Sequence, residues 1–177
     1  MAFFGLLRRR PHERIGFELY TAAVGAARDP SLYGPGAVPD TLDGRFDLIA
    51  LHVALLVRRL RGDADPRGPG LAQAVFDAMV ADMDLSLREM GVGDMSIGKR
   101  VKRMWEAWHG RARAYEAALE AGDRPGLEEA LSRNVWRGEA PDGAVTRLAD
   151  RALSLDAALA TQPLDAVLAG HGFPPAA

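Results

Sequence analysis

The sequence predicts an all-α protein, a single compact bundle of about six or seven helices with an irregular Pro/Gly-rich loop after the first helix. Apolar residues recur with the helical period along most of the chain, and the alternation typical of strands is nowhere sustained. The chain has 177 residues and 48% hydrophobic content, which suits one domain with one core. Because Cys is absent, neither a disulfide nor a Cys-bound metal can stabilise the fold.

The predicted organisation has three parts. An apolar and basic arm covers residues 1–10, a helical domain covers residues 11–170, and a short tail covers residues 171–177. In the arm, apolar residues precede three arginines, the reverse of the charge order in a secretory signal, so we expect a cytoplasmic protein. Such an arm packs on the protein, is disordered, or contacts an anionic membrane surface. The most apolar run, LIALHVALLV, is too short to span a bilayer.

The first two predicted helices flank the loop. Pro11 suits the first position of a helix over residues 11–27, which ends before an Asp-Pro step. Residues 28–40 contain three prolines and two glycines and predict an ordered but irregular loop. A helix over residues 43–60 carries two apolar stripes, which indicates burial on more than one side. We expect it to be the central helix.

The remaining helices follow from the same period and from Gly and Pro signals. A third helix is predicted over residues 71–90, with Gly91 at its C-terminal stop. A long amphipathic fourth helix is predicted over residues 97–121. Asp123 as N-cap begins a fifth, which is followed by a sixth over residues 144–160 and by a last short helix from Pro163 to Gly170.

Motifs for catalysis and metal binding are weak, so we expect no enzyme activity, no cofactor and no metal. Asp82 and Asp84 lie two residues apart on a helix and point in different directions, which disfavours a shared metal ion. Glu106 and His109 would supply only one half of a di-iron site. A minor alternative is an enzyme or small-molecule carrier built around His52 and Asp77, if they shared a deep apolar pocket; otherwise His52 is a neutral core histidine.

The charge pattern around the third and fourth helices is the main lead to function. Residues 77–94 contain five acids and one base, and residues 99–103 contain four bases and no acid. These charges either pair across the turn or bind an acidic or phosphate-bearing partner. The candidate partner-binding residues are Asp77, Asp82, Asp84, Glu89, Asp94, Lys99, Arg100, Lys102 and Arg103.

Methionines near this turn suggest a second kind of surface. Methionine is flexible and polarizable, and it suits surfaces that accept variable apolar shapes, although it more often fills cores. The candidate residues of an apolar client face are Met79, Met83, Met90 and Trp105.

Two sequence runs carry a resemblance to a known family. They read FDLIALHVALLVRRLRG and LAQAVFDAMVADMDLSLREMGVGDMSIGKRVKRMWEAWHGR, and the block REMGVGD followed by GKRVKRM is the most specific part. The chain resembles the ubiquinol-cytochrome c chaperone family in its short bacterial form, strongly over residues 46–111.

The resemblance implies an all-helical assembly factor of ubiquinol-cytochrome c reductase, the quinol-oxidising respiratory complex. Mitochondrial relatives are understood to bind newly made cytochrome b near the ribosome, with a small partner, until haem and subunits arrive. The family implies no catalytic residues. We therefore expect a chaperone of cytochrome b, cytoplasmic or peripheral on the inner face of the membrane, with the ribosome and anionic lipid as further partners. The alternative is a ribosome- or RNA-binding module using residues 99–103, and the formal charge of −2 argues against a DNA-coating protein.

Overall fold

Helices make up nearly all of the regular structure in the computed structural model, which describes residues 11–91, 93–171 and 173. A short 3-10 turn, Pro30–Leu32, interrupts the loop after the first helix, and one π turn, Val167–His171, extends the last. The helices are α1 (Pro11–Ala27), α2 (Leu42–Arg61), α3 (Gly68–Glu89), α4 (Asp94–Ala121), α5 (Arg124–Val135), α6 (Ala144–Thr161) and α7 (Leu164–Ala166). The all-α prediction is confirmed, while the predicted arm of residues 1–10 and most of the predicted tail lie outside the described residues.

The central position of α2 is confirmed. It packs against α1, α3, α4, α5 and α6, and most of its residues from 47 to 56 are buried. Leu48, Val53 and Leu56 have no exposed surface at all. Two apolar stripes on one helix require partners on two sides, which is the arrangement that the bundle provides.

Helices α1 and α3 approach each other very closely. A Cβ atom added at Gly16 would lie 2.6 Å from the backbone carbon of Ala74, so only glycine permits this contact. Further along the same interface, the Tyr20 hydroxyl donates a 2.6 Å hydrogen bond to Oδ2 of Asp82. These contacts fix the helix that carries the acidic residues of the α3 end.

The loop between α1 and α2 is held by the other end of the chain. Tyr33 and Val38 form an isolated bridge within it, and the Tyr33 hydroxyl donates to the carbonyl of Ala27 at 2.7 Å. The indole N–H of Trp136 donates to the carbonyl of Ala37 at 3.3 Å, and Arg147 donates to the carbonyl of Gly36. The loop is ordered because Trp136, which directly follows α5, and Arg147 of α6 supply donors to its backbone.

Three helices begin earlier than the period of the sequence predicts. The Thr41 side chain caps α2 by accepting from the Gly44 N–H at 3.1 Å, so this helix starts at Leu42. Helix α3 starts at Gly68 because Pro69 is compatible with the first helical turn. Helix α4 starts at Asp94, one turn before residue 97, and its first three residues, DMS, carry no apolar period that would predict this start. The predicted Asp123 cap of α5 is confirmed by a 3.0 Å bond from the Gly126 N–H.

Candidate functional site

The α3–α4 corner, which we define as residues 77–103, places its two central carboxylates in different surroundings. Asp82 faces α1, where it accepts the hydrogen bond from Tyr20. Asp84 accepts from Nε of Arg88 at 2.7 Å, one turn further along α3. The two side chains therefore serve separate contacts rather than one shared ligand site.

The other three acidic residues of the corner, Asp77, Glu89 and Asp94, have no described side-chain contact with another helix. Asp77 is exposed and accepts a 2.7 Å hydrogen bond from the amide of Gln73 on the same helix. Glu89 is exposed at the last position of α3. Asp94 is the first residue of α4, but its side chain lies outside the described part of the structure.

The basic side of the corner is open to solvent. Lys99, Arg100, Lys102 and Arg103 are all exposed on the first turns of α4. Lys102 approaches Glu106 of the same helix at 3.8 Å, whereas the other three form no ion pair within the described residues. Exposed pairs along one helix contribute only about 0–1 kcal/mol, so fold stability does not account for this concentration of charge.

Two methionines of the predicted apolar client face are buried in this structure. Met79 is fully buried and Met83 is 5% exposed, because both point from α3 into the hydrophobic core. Met90, which caps the end of α3, is 53% exposed, and Trp105 on α4 is 42% exposed. Of the four candidates, only Met90 and Trp105 are therefore available to a partner in this conformation.

Trp105 belongs to an aromatic groove between α2, α3 and α4, with a volume of about 550 Å³. Its ring centroid lies 4.2 Å from that of His109 in an edge-on geometry. Phe76 from α3 lies 4.8 Å from Trp108 and 5.3 Å from His109, both on α4. Phe76 and Trp108 are about equally far from the α3–α4 connection, as in an antiparallel hairpin. The aromatic groove is lined by Ala54, Leu55, Val57, Arg58, Arg61, Pro69, Ala72, Gln73, Phe76, Trp105, Trp108, His109, Ala112, Arg113, Tyr115, Glu116 and Leu119.

The rim of the aromatic groove is mainly basic. Arg61 pairs with Glu116 across the groove, and Arg58 pairs with Asp156 of α6 at 2.7 Å. Arg113 is exposed and has no ion pair among the described residues. Burial, and to a smaller degree the charge of Arg113, lower the pKa of His109, so its imidazole is neutral at pH 7.

Sequence reasoning missed this groove although a signal was present. Trp105, Trp108 and His109 lie at positions i, i+3 and i+4 of one helix, which places three aromatic rings on one face. Their period resembles that of an ordinary core stripe. Only the depth of packing distinguishes Trp108, at 3% exposed, from Trp105.

A buried charge cluster lies at the contact between α2 and α4. Oδ1 of Asp47 lies 2.6 Å from Nη1 of Arg111, and Arg137 donates to Oδ2 of Asp47 at 2.9 Å. Burial raises the pKa of the Asp47 carboxyl, and the hydrogen bond from Arg137 and the charge of Arg111 oppose part of that rise. The guanidinium of Arg111 also lies over the ring of Phe46, at 5.5 Å from its centroid. This cluster joins α2, α4 and the segment after α5, and Arg137 is its exposed member at 53%.

His52 and Asp77 do not share a pocket. His52 has no exposed surface, and its Nδ1 lies 2.8 Å from the carbonyl of Leu48. Burial lowers the pKa of His52 to about 4, which keeps the ring neutral. Asp77 is on the exposed side of α3, so the interpretation of His52 as a neutral core histidine is confirmed.

The described residues form neither a metal cluster nor a membrane-spanning helix. They contain no group of three or more His, Asp or Glu side chains that could hold a metal ion. No described helix is both long and apolar enough to cross a membrane. The described residues form an all-α bundle that carries an aromatic groove and a charged corner on its surface.

Comparison with known proteins identifies the family. The sequence profile described as Ubiquinol-cytochrome C chaperone matches residues 36–172, which run from the loop before α2 to the end of the bundle. The chain therefore belongs to the ubiquinol-cytochrome C chaperone family, and it is an assembly chaperone of ubiquinol-cytochrome c reductase. The resemblance inferred from the sequence is confirmed. Among curated proteins, the comparison found no match.

A solved structure supports the same assignment. The crystal structure of the Cbp3 homolog from Brucella abortus superposes with a TM-score of 0.78 at 36% sequence identity. The match covers 90% of this chain and 87% of that one. The similarity extends beyond the family match to most of the bundle.

Proposed function

We propose that this chain is a non-enzymatic chaperone that binds newly made cytochrome b and assists its assembly into ubiquinol-cytochrome c reductase. The observation that carries the proposal is the family match, which spans α2 to α6 and includes both the α3–α4 corner and the aromatic groove. The similarity to the Cbp3 homolog structure supports it further.

The physical basis of the proposal is the apolar surface of the client. A membrane-embedded subunit exposes apolar segments before it is assembled, and such segments aggregate in water unless they are covered. The aromatic groove and the exposed Met90 offer apolar surface on the chaperone. Binding and release of a client require no catalytic group.

The proposal is tested by deletion and by co-purification. We expect deletion of the gene to lower cytochrome b and the haem-loaded complex, measured by immunoblot and by difference spectra of membranes. We also expect cytochrome b to co-purify with a tagged chain expressed from the native locus. Normal cytochrome b levels and a normal haem-loaded complex in the deletion strain would contradict the proposal.

We further propose a place of action on the cytoplasmic face of the membrane, as a peripheral protein. Lys99, Arg100, Lys102 and Arg103 supply the charge for this contact, since each basic residue near an anionic surface contributes about 1 kcal/mol. The predicted N-terminal arm would add an apolar and basic segment. Sedimentation with anionic vesicles, compared with neutral ones, tests this contact.

A ribosome- or RNA-associated role is the second candidate, and three exposed bases without ion pairs among the described residues favour it. We expect reversal of Lys99, Arg100, Lys102 and Arg103 to Glu to abolish ribosome or membrane association and to leave the fold intact. Binding to ribosomes should fall steeply as salt rises. Salt-independent binding, or none to ribosomes, would remove this candidate, and an unfolded variant would instead favour internal pairing of the corner.

Two double variants with the same change in net charge distinguish an effect of the corner from an effect of overall charge. Lys99→Glu with Arg100→Glu changes the net charge as much as Arg14→Glu with Arg133→Glu, whose positions are exposed on α1 and α5. Only the first pair should weaken association. Equal effects of both pairs would show that overall charge, rather than the corner, determines binding.

A further inference from the structure

We propose that the aromatic groove binds one amphipathic helix of the client, whose apolar stripe is flanked by acidic residues. The inference rests on the proposed function, that the chain holds a client polypeptide, and it names the surface and the chemistry of the segment bound there. It rests on three properties of the groove: its walls, its length and its rim.

The walls of the groove require an occupant that satisfies its own backbone. All lining residues belong to α2, α3 and α4. Apart from the last turn of α2 and the first turn of α3, the peptide N–H and C=O groups of these walls are bonded within their helices. An extended segment in the groove would bury peptide groups without partners, at a cost of about 1–3 kcal/mol for each. A helix has no such cost, because its peptide groups are already bonded to one another.

The length of the groove matches a helix of about four turns. Its α4 wall runs from Trp105 to Leu119, which at about 1.5 Å per residue is roughly 21 Å. A client helix of about 14 residues has the same length, and its apolar side chains would follow the i, i+3, i+4, i+7 pattern. The volume of about 550 Å³ lies between α-helical walls rather than in a closed cavity for a small ligand.

The rim of the groove selects for acidic flanks. Of its charged members, Arg61 and Glu116 neutralise each other, and Arg58 is already paired with Asp156. Arg113 is left exposed without an ion pair among the described residues. Beyond Trp105, the α4 wall continues into the exposed bases of residues 99–103. A flank of Glu or Asp complements this field, whereas a basic flank is repelled by it.

Trp105 has the properties of an interface anchor. Trp105 is 42% exposed at the edge of the groove, and its ring packs edge-on against that of His109, with 4.2 Å between the ring centroids. A tryptophan that is partly buried in the free protein loses little conformational freedom on binding and buries a large apolar area.

The test uses two synthetic 18-residue peptides with the same Leu/Phe stripe, one with Glu on both flanks and one with Lys. Binding to the full chain is measured by fluorescence anisotropy of the labelled peptide. We expect the Glu peptide to bind at least about tenfold more tightly than the Lys peptide. Trp105→Ala should weaken binding of the Glu peptide about tenfold, and Arg113→Glu should weaken it and strengthen binding of the Lys peptide.

The matched control is Phe17→Ala, which removes another exposed aromatic side chain, 58% exposed on α1 and outside the groove. This variant should bind the Glu peptide as the unmodified chain does, and circular dichroism should show that all variants are folded. Equal affinity for the two peptides, or equal losses from Trp105→Ala and Phe17→Ala, would overturn the proposal. A Trp105-dependent fluorescence shift with anionic vesicles but not with the Glu peptide would also overturn it.

A cellular measurement separates this inference from the proposed function. If cytochrome b co-purifies equally with the unmodified chain and with Trp105→Ala/Arg113→Glu, the groove is not the client site and the proposed function stands. If the unmodified chain binds the Glu peptide in its groove but never co-purifies with cytochrome b, the proposed function fails. If cytochrome b co-purifies with the unmodified chain but not with the double variant, the result supports both the proposed function and the groove as the client site.

Discussion

Asp47 on α2 lies 2.6 Å from the guanidinium of Arg111 on α4, and its side chain is 1% exposed. The pair is one of the few charged contacts that lie inside the bundle rather than on its surface. Arg137, which follows α5, donates to the other carboxylate oxygen, so one acid holds three parts of the chain. Arg137 itself has a φ of 59°, a left-handed conformation that costs a non-glycine residue about 1–2 kcal/mol.

Removing the acid of this cluster should be strongly destabilising. We expect Asp47→Ala to lower the free energy of unfolding by about 3–5 kcal/mol, because Arg111 is then buried without a counter-charge. Urea titration followed by circular dichroism measures the loss. The double variant Asp47→Leu/Arg111→Met should recover most of it, and a loss under about 1 kcal/mol for Asp47→Ala would show that the pair is solvated.

The neighbouring carboxylates Asp82 and Asp84 should differ in their contribution to stability. Asp82→Ala removes the acceptor of the Tyr20 hydroxyl between α1 and α3, and we expect a loss of about 1–3 kcal/mol. Asp84→Ala breaks an exposed contact within α3, with an expected loss under about 1 kcal/mol. Thermal unfolding of both variants at one pH provides the comparison, and a reversed order would contradict the assigned contacts.

Alanine variants at Met79 and Met90 should differ in their free energy of unfolding, because Met79 lies in the core and Met90 lies at the surface. Met79→Ala leaves a cavity in the core, and we expect it to cost about 2–5 kcal/mol. Met90→Ala, at the exposed end of α3, should cost under about 0.5 kcal/mol. Urea titrations of the two variants measure this difference, and similar small losses for both would mean that Met79 is accessible in solution.

His52 should make the fold sensitive to mild acid. Its pKa is about 4 in the folded protein and about 6.5 when unburied, so between these values the unfolded chain binds a proton that the folded chain does not. The contribution of neutral His52 to the free energy of unfolding is therefore fully present above about pH 6.5. It falls as the pH drops, by on the order of 2 kcal/mol between pH 7 and pH 5.

The variant His52→Leu isolates this contribution. Between pH 7 and pH 5, its free energy of unfolding should fall by about 2 kcal/mol less than that of the unmodified chain, as measured by urea titration at both pH values. The comparison of the two slopes cancels the titration of carboxylates such as Asp47, which both proteins share. Identical slopes would mean that the histidine is hydrated in the native state.

Much of the fold could be predicted from the sequence because the apolar period is strong. Helix α1 begins and ends at the residues that the pattern predicts, since Pro11 and the Asp-Pro step at residues 29–30 mark both ends. The apolar period predicts the starts of α3 and α4 about one turn too late, because the first residues of these helices, GPG and DMS, contain no repeating apolar positions. Helix ends of this kind contain no apolar repeat, so the period of the sequence does not locate them.

The candidate site was less predictable because sequence spacing does not report depth. Met79 and Trp105 both lie on apolar stripes, yet one is fully buried and the other is 42% exposed. The difference depends on how α2, α3 and α4 are arranged in space, which the period of a single helix does not contain. The same applies to Asp47, whose partners Arg111 and Arg137 are remote in the sequence.

The long-range ties of the loop and of α2 have a consequence for synthesis of the chain. The carbonyls of Gly36 and Ala37 receive their donors from Arg147 and Trp136, and Arg59 on α2 donates to the carbonyls of Leu159 and Gln162. About a hundred residues must therefore be translated after the loop and α2 before their partners exist. Because a ribosome adds roughly 5–20 residues per second, the carbonyls of Gly36 and Ala37 wait for several seconds before these donors are synthesised. The contacts that hold the loop and α2 of this assembly factor can therefore all be in place only after residue 162 has been translated.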